Sequence, residues 1–386
     1  MSDKKKFLWI VVFFLVFYFV PEGYERVNMG VKEAVWMMRD YAREHVLLCL
    51  VPAFFIAGAV SVFVSQESVL KYLGTGAGIV VAYSVAAVSG SVLAVCSCTV
   101  LPLFAGIYMR GAGLGPAIAF LYSGPAINVL AIVLTARVLG LTIGTARAVS
   151  AISFSVVLGL LMAFIFRKEE QERLSAFMNA PSEDSVPVRK TILHVSSMVL
   201  LLIFANWAAP KTDNALWQNI YLIKWKAAAF FLAIVILSSI FLFNKEQRDA
   251  WLQSTWGYTL QVTPLLFGGV VAAGFLLGRP GHEALIPSEW IASLVGGNSM
   301  AANFFAATSG ALMYFATLTE VPILQGLMGA GMGKGPALAL LLAGPALSLP
   351  AILVISTVLG WKKTLTYAAL MIILSSGAGL AYGTFF

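Results

Sequence analysis

The chain has 386 residues, of which 60% are hydrophobic and only 11% are charged, and its formal net charge is +7. Soluble domains carry about a quarter charged residues, so a water-soluble fold is excluded and an all-α polytopic membrane protein is expected. The positive balance fits lipid headgroups and loop charge. No basic run interleaved with aromatics appears away from the span flanks, so nucleic-acid binding is not expected.

In chain order, MSDKKK precedes a short apolar run over 7–20 that stops at Pro21, Glu22 and Gly23. No small-x-small cleavage site follows, so the run reads as a retained first span rather than a signal peptide. Residues 24–45 place Val27, Val31, Val35 and Met38 on one side of an amphipathic helix, read as an interfacial connector. Further candidate spans are 46–64, 77–95, 125–139, 145–166, 192–209, 225–243, 262–277, 300–315, 345–359 and 365–384, about 10–11 crossings in all. The apolar segments 98–110, 116–123, 320–330 and 336–343 fall short of the roughly 20 residues a crossing needs. They read as half-helices or re-entrant hairpins. Residues 167–190 are the most polar stretch and read as a linker.

The two sides of that linker repeat each other. With an offset of 220 residues, RGAGLGPAIAFLYSGPAINVLAIVLTARVLG (110–140) lies on AGMGKGPALALLLAGPALSLPAILVISTVLG (330–360) without a gap. Pro102 falls on Pro322, and Gly124 and Pro125 on Gly344 and Pro345. The expected organisation is a first membrane repeat at 1–166, a polar linker with one extra apparent span at 167–224, and a second repeat at 225–386. Whether the halves are parallel or inverted depends on whether 192–209 crosses, and the even spread of Lys and Arg over the loops does not decide it.

Proline inside a membrane helix removes a hydrogen bond and displaces a carbonyl, and the freed groups must be satisfied by protein or water. Helix breaks are expected at Pro102, at Gly124 and Pro125, at Pro322, and at Gly344 and Pro345. Interrupted helices at matching places in two halves point to a transporter site near the midplane. Polar side chains gather there: Cys96, Ser97, Cys98, Thr99, Ser123 and Asn128 in the first half, and Thr317, Thr319, Glu320 and Ser348 in the second. Asn128 has two readings, an interhelical hydrogen-bonding residue, or a group that contacts solute or satisfies backbone beside the Gly-Pro break. Glu320 also has two, a proton carrier or a salt bridge to a buried base. No Lys or Arg lies within ten residues before it, so the carrier reading is preferred.

The three cysteines, Cys49, Cys96 and Cys98, form no disulfide framework. If the backbone at Cys96–Cys98 is extended, both sulfurs share one face and suit a soft centre. No His or carboxylate lies close by in sequence to close a zinc site, so no metal site and no cofactor are assigned. No Walker-type sequence is present, so ATP hydrolysis by this chain is not expected.

At C-S-C-T-V-L-P (96–102), the glycines of 111–115, A-F-L-x-S-G-P-A-I-N (119–128), E-V-P (320–322) and G-P-A-L-S-L-P (344–350), the chain resembles the predicted permease family that includes ArsP-like organoarsenical efflux permeases. The resemblance implies a multi-pass permease of the cell membrane rather than an enzyme. It also implies export of a trivalent organoarsenical, with Cys96 and Cys98 as candidate metalloid contacts. The partners are then the bilayer and a small solute, with the oligomeric state open. The alternatives are a permease for another small solute with structural cysteines, and a membrane thiol oxidoreductase. Against the latter stand the Cys-x-Cys spacing and the lack of a quinone or haem ligand set.

Overall fold

The computed structural model describes residues 25–63, 66–74, 77–93, 97–178, 188–207, 215–279, 282–286, 294–314, 320–329 and 331–386. The expected first span at 7–20 lies outside them. Among the described residues the chain is helical apart from turns and one isolated antiparallel bridge between Gly296 and Met332. Helix α1 (Glu25–Tyr41) continues through a π-helical stretch (Ala42–Leu50) into α2 (Val51–Phe63). Then come α3 (Gln66–Leu73), α4 (Ile79–Leu93), α5 (Ser97–Met109), α6 (Leu114–Ala126), α7 (Val129–Val138) and α8 (Leu141–Ile165). The middle of the chain holds α9 (Arg167–Met178), α10 (Val188–Ala205), α11 (Ala215–Phe241) and α12 (Lys245–Leu277). The last five helices are α13 (Met300–Leu312), α14 (Glu320–Gly329), α15 (Lys334–Ala343), α16 (Leu349–Leu359) and α17 (Trp361–Phe385).

Among the described residues four helices are long and apolar enough to cross a bilayer alone: Leu141–Ile165, Gln218–Phe241, Lys245–Leu277 and Trp361–Phe385. Two pairs bent by 47°, α1 with α2 and α6 with α7, raise the number to 6. Length alone therefore does not give the expected ten or eleven crossings, and two hairpins explain part of the difference. Helices α4 and α5 have 15 and 13 residues, about 22 and 20 Å against a hydrocarbon core of roughly 30 Å. The Gly113 N–H, just past α5, donates to the Leu73 carbonyl, just before α4, at 2.7 Å. The start of α4 and the end of α5 thus lie at one face. Helices α13 and α14, of 13 and 10 residues, do the same: Gly333 N–H donates to the Val295 carbonyl at 3.1 Å. Helices α4 and α13 are therefore the entering arms of re-entrant hairpins rather than crossings of their own.

Helices α8 and α17 pack against each other and run antiparallel. Tyr382, near the end of α17, donates from its hydroxyl to Thr142 Oγ1, near the start of α8, at 3.0 Å. At the other end Lys362, at the start of α17, bonds Glu169 Oε1 at 2.9 Å, just past the end of α8. Lys362 and Lys363 also lie over the Phe166 ring. The hairpin ends at 73–79 and 109–113 lie with the α9 end, and those at 295–300 and 329–333 with the opposite end. The two hairpins therefore enter from opposite faces. Helix α4 packs on α6 and α6 on α8; α13 packs on α15 and α15 on α17. Across the middle, α5 packs on α16 and α14 on α7. The boundary expected at residue 225 falls inside α11, which pairs with α10.

Glycines permit the tightest crossings. A Cβ on Gly159 of α8 would lie 2.5 Å from the Gly115 carbonyl oxygen of α6, and one on Gly379 of α17 would lie 2.6 Å from the Gly335 oxygen of α15. The turns after the hairpins use left-handed backbone that only glycine adopts easily, at Gly111 (φ 96°) and Gly331 (φ 106°).

Helix α1 is amphipathic as expected, but a different face packs. Gly30, Glu33, Ala34, Met37 and Tyr41 are buried against α12, while Val31 and Val35 are 51% and 64% exposed. Gly30 and Ala34 allow backbones to close up, which branched valine does not. Glu33 then accepts from Arg279 Nε at 2.8 Å, and Asp40 from Arg279 Nη1 at 3.0 Å, tying α1 to the end of α12. The polar stretch after α8 is only partly a linker. Its first part is α9, whose Glu170 accepts the Leu114 N–H at 2.8 Å, while Arg173 donates to the Tyr108 carbonyl at 2.9 Å and to the Ala112 carbonyl. That clamps the foot of the first hairpin. At the surface of the same helix, Lys362 followed by Lys363 hold the Glu169 carboxyl below its usual range.

Two measurements check this layout. Single cysteines at Glu172 and Tyr72 should react with an impermeant maleimide from one face of a sealed vesicle, and cysteines at Lys334 and Thr384 from the other. Labelling of all four from one face would overturn the antiparallel arrangement. Valine at Gly159 or Gly379 should lower stability by about 1–3 kcal/mol through overpacking, seen as an earlier thermal transition in detergent. Alanine at Gly257, where a Cβ meets nothing within 4 Å, should not.

Candidate functional site

The central region is made of helix ends. α6 ends in Gly124, Pro125 and Ala126, and its C-cap Ile127 N–H still reaches the Ser123 carbonyl at 3.0 Å. α7 then starts with the Asn128 side chain accepting the Ala131 N–H at 3.4 Å. In the second half α15 ends at Ala343, residues 344–346 turn, and Ser348 Oγ accepts the Ala351 N–H at 3.2 Å to cap α16. Asn128 and Ser348 therefore serve the backbone: each satisfies a donor that the break leaves without a helical partner. Ser123 is fully buried and donates to the Phe120 carbonyl at 3.2 Å and the Ala86 carbonyl at 3.4 Å, joining α6 to α4.

Two of the expected breaks are not breaks. Pro102 lies inside α5, and the helix runs on to Met109. Pro322 is the third residue of α14, where its missing N–H is an orphan in any helix. The interruptions sit upstream, at the hairpin tips. Pro125 and Pro345 do stand at breaks, with Gly124 and Gly344 beside them.

At the first tip, Cys96 lies outside the described residues. Ser97 and Cys98 open α5 with helical backbone, and their side chains also lie outside the described part. Thr99 is buried. At the second tip, Thr317 and Thr319 lie outside the described residues.

Glu320 is 0% exposed at the first position of α14, and its partner is Arg147 of α8, which is 1% exposed. Arg147 Nη2 donates to Glu320 Oε1, and Nη1 donates to Thr135 Oγ1 of α7 at 2.8 Å. The expectation of a carboxylate without a base is therefore corrected: the base is buried with it, 173 residues away in sequence. The pair joins the tip of the second hairpin to a span and a half-helix of the first half. Glu320 Oε2 and Arg147 Nε have no hydrogen-bond partner among the described residues. Tyr122 lies within electrostatic reach of Arg147, Glu320 and Tyr367. Its hydroxyl donates to the Leu342 carbonyl at 3.4 Å, across a sequence separation of 220. Sequence reasoning missed Arg147 because it searched only the neighbourhood of Glu320. The available signal was that Arg147 is the only charged residue in Leu141–Ile165, and a charge inside a span marks function by default.

At the outer end of α5 a cavity of about 360 Å³ opens between α2, α5 and α12, lined by Ser61, Met109, Arg110, Ser254, Tyr258 and Gln261. Ser61 Oγ and the Tyr258 hydroxyl are 2.7 Å apart in it. Among the described residues no three His, Cys, Asp or Glu side chains stand where they could hold a metal ion.

Removing one partner of a buried ion pair leaves the other charge unpaired, at a cost of about 3–5 kcal/mol. Arg147→Met or Glu320→Leu alone should therefore sharply lower the yield and melting temperature of folded protein. The Arg147→Met/Glu320→Leu double variant should regain most of the loss. A double variant as unstable as either single one would show that the two side chains are not partners.

Comparison with known proteins agrees with the geometry. Residues 33–384 match the model of the ArsP_1 family, described as a predicted permease. The UPF0718 protein MJ0584 of Methanocaldococcus jannaschii is 45% identical over 347 residues, covering 89% of this chain and 93% of that protein. The UPF0718 protein YraQ of Escherichia coli K12 is 26% identical over 261 residues, covering 67% of this chain and 56% of that protein. No solved structure matches.

Proposed function

The chain belongs to this family of predicted permeases, and we propose that it is a secondary transporter whose solute passes between two inverted halves, at the tips of their hairpins. The halves are repeats, 1–166 and 225–386, with 167–224 between them and the second half effectively starting at α12. The observation that carries this reading is the pair of half-length hairpins that enter from opposite faces, at positions offset by 220 residues. The matched glycine crossings, the matched caps Asn128 and Ser348, and the exchange of contacts between α5 with α16 and α14 with α7 support it. Re-entrant and broken helices of this kind are tolerated in a bilayer where they line a solute site.

The proposed solute is a soft, thiol-reactive molecule such as a trivalent organoarsenical, exported across the cell membrane. Cys96 and Cys98 flank Ser97 in the sequence where α5 begins, and they are the proposed soft contacts for the solute. Thr99, Ser123, Asn128, Thr317, Thr319 and Ser348 belong to the same region, and Glu320 is the candidate for proton coupling. No ATP-binding sequence is present, so the drive is an ion gradient or the solute's own gradient.

Serine at Cys96, at Cys98 or at both keeps volume nearly constant and removes the soft ligand. In an arsenic-sensitive host challenged with methylarsenite, the parent should protect and the variants should not, at equal membrane levels. Equal protection by the double-serine variant would leave the cysteines as packing residues and point to another solute.

A further inference from the structure

Arg147 carries a permanent charge among residues fully withdrawn from solvent. A lone charge there is costly by several kcal/mol, so Arg147 needs a negative partner in every state of the protein. In this structure the partner is Glu320, which belongs to a different helix and to the tip of a hairpin. The match is incomplete. A guanidinium offers carboxylates a fork made of Nε and Nη2. Glu320 fills only Nη2, with Oε1, while Oε2 and Nε stay unpartnered among the described residues. Thr135 holds Nη1 and fixes the plane of the group.

We propose that Arg147 is a binding site for one small carboxylate or oxyanion, with the Glu320 side chain as a tethered occupant that the ligand displaces. The ligand would put two oxygens on the Nε–Nη2 fork, which Glu320 engages through one. Charge balance then dictates the rest. With the ligand on Arg147, Glu320 has lost its cation and takes one proton from solvent. The buried cluster holds one positive and one negative charge before and after, and one proton enters with each anion.

Among the described residues of the helices packed here, α8 brings Arg147, α6 brings Tyr122 and α17 brings Tyr367, and the charges of α7, α15 and α17 stand near their outer ends, at Arg137, Lys334, Lys362 and Lys363. The sequence of residues 315–319 contains no charge. The transport meaning of this site rests on the permease reading, but its chemistry does not rest on the thiols or on an arsenical.

Chemical rescue tests the site directly, on full-length protein in detergent, with sodium formate, sodium acetate and sodium phosphate as probes against sodium chloride at equal ionic strength. Glu320→Ala, which leaves Arg147 bare, should melt earlier than wild type. At least one of the three probes should restore at least half of the lost melting temperature. The Arg147→Met/Glu320→Ala variant should show no such rescue, and Arg147→Lys should bind the active probe roughly tenfold more weakly than wild type. Should Glu320→Ala fail to fold, the wild-type protein carries the test. Titration calorimetry in two buffers of different ionisation enthalpy should show uptake of close to one proton per anion bound. Rescue by none of the probes, equal rescue of the double variant, or anion binding without proton uptake would overturn the proposal. A negative arsenical assay alongside positive rescue would remove the proposed solute and leave this site standing.

Discussion

A bilayer core supplies no water, so every backbone N–H and C=O freed by a broken helix must find a partner inside the protein. Among the described residues this chain breaks off its helices after α6 and after α15, and the surrounding structure answers to that. Asn128 and Ser348 cap the helices that restart after the breaks. Ser123 fastens α6 to α4, and the Tyr122 hydroxyl takes the Leu342 carbonyl of the opposite half. Glycines bring α6 onto α8 and α15 onto α17 so closely that a methyl group would not fit. The half-helices are held by packing on full-length neighbours, α8 and α17, and those two fix how the halves lie together.

The antiparallel run of α8 and α17 gives the molecule its functional logic. Helices α4 and α5 have their outer ends beside α9, and α13 and α14 have theirs beside the end of α17, so the matching segments start from opposite ends of the α8–α17 pair. Half-helices of the two halves pack on each other, α5 on α16 and α14 on α7, beside the contact of α8 with α17 and the packing of α12 on α1 and α2. An ion pair spans the same boundary, with Glu320 on a hairpin tip and Arg147 on a span of the other half. Such a pair is weak support for stability in itself, but breaking it is expensive. It therefore ties the start of α14 to α8 and α7.

Much of this was legible in the sequence. The helical membrane class, the polar stretch after α8 and the breaks at Pro125 and Pro345 follow from composition and from matched breakers. The 220-residue register pairs residues that the structure puts to equal use, such as Gly111 with Gly331 and Asn128 with Ser348. What was not legible depended on distance in space. Apolar runs at 77–95 and 300–315 read as crossings because hydropathy does not show where a chain turns back. Pro102 and Pro322 read as breaks, yet one is absorbed by its helix and the other stands in a first turn. The valines of α1 marked it as amphipathic, but nothing in the pattern showed that Gly30 and Ala34 pack it on α12. Arg147 was hidden because its partner lies 173 residues away.

The most direct measurement of the central claim is pairwise cross-linking in native membranes, in a background with Cys49, Cys96 and Cys98 replaced by serine. With α8 and α17 antiparallel, a Thr142→Cys/Tyr382→Cys pair should form a disulfide in high yield and a Thr142→Cys/Lys362→Cys pair should not. If 142 cross-links to 362 and not to 382, the halves run parallel, and the opposed hairpins and the central site built from them are wrong.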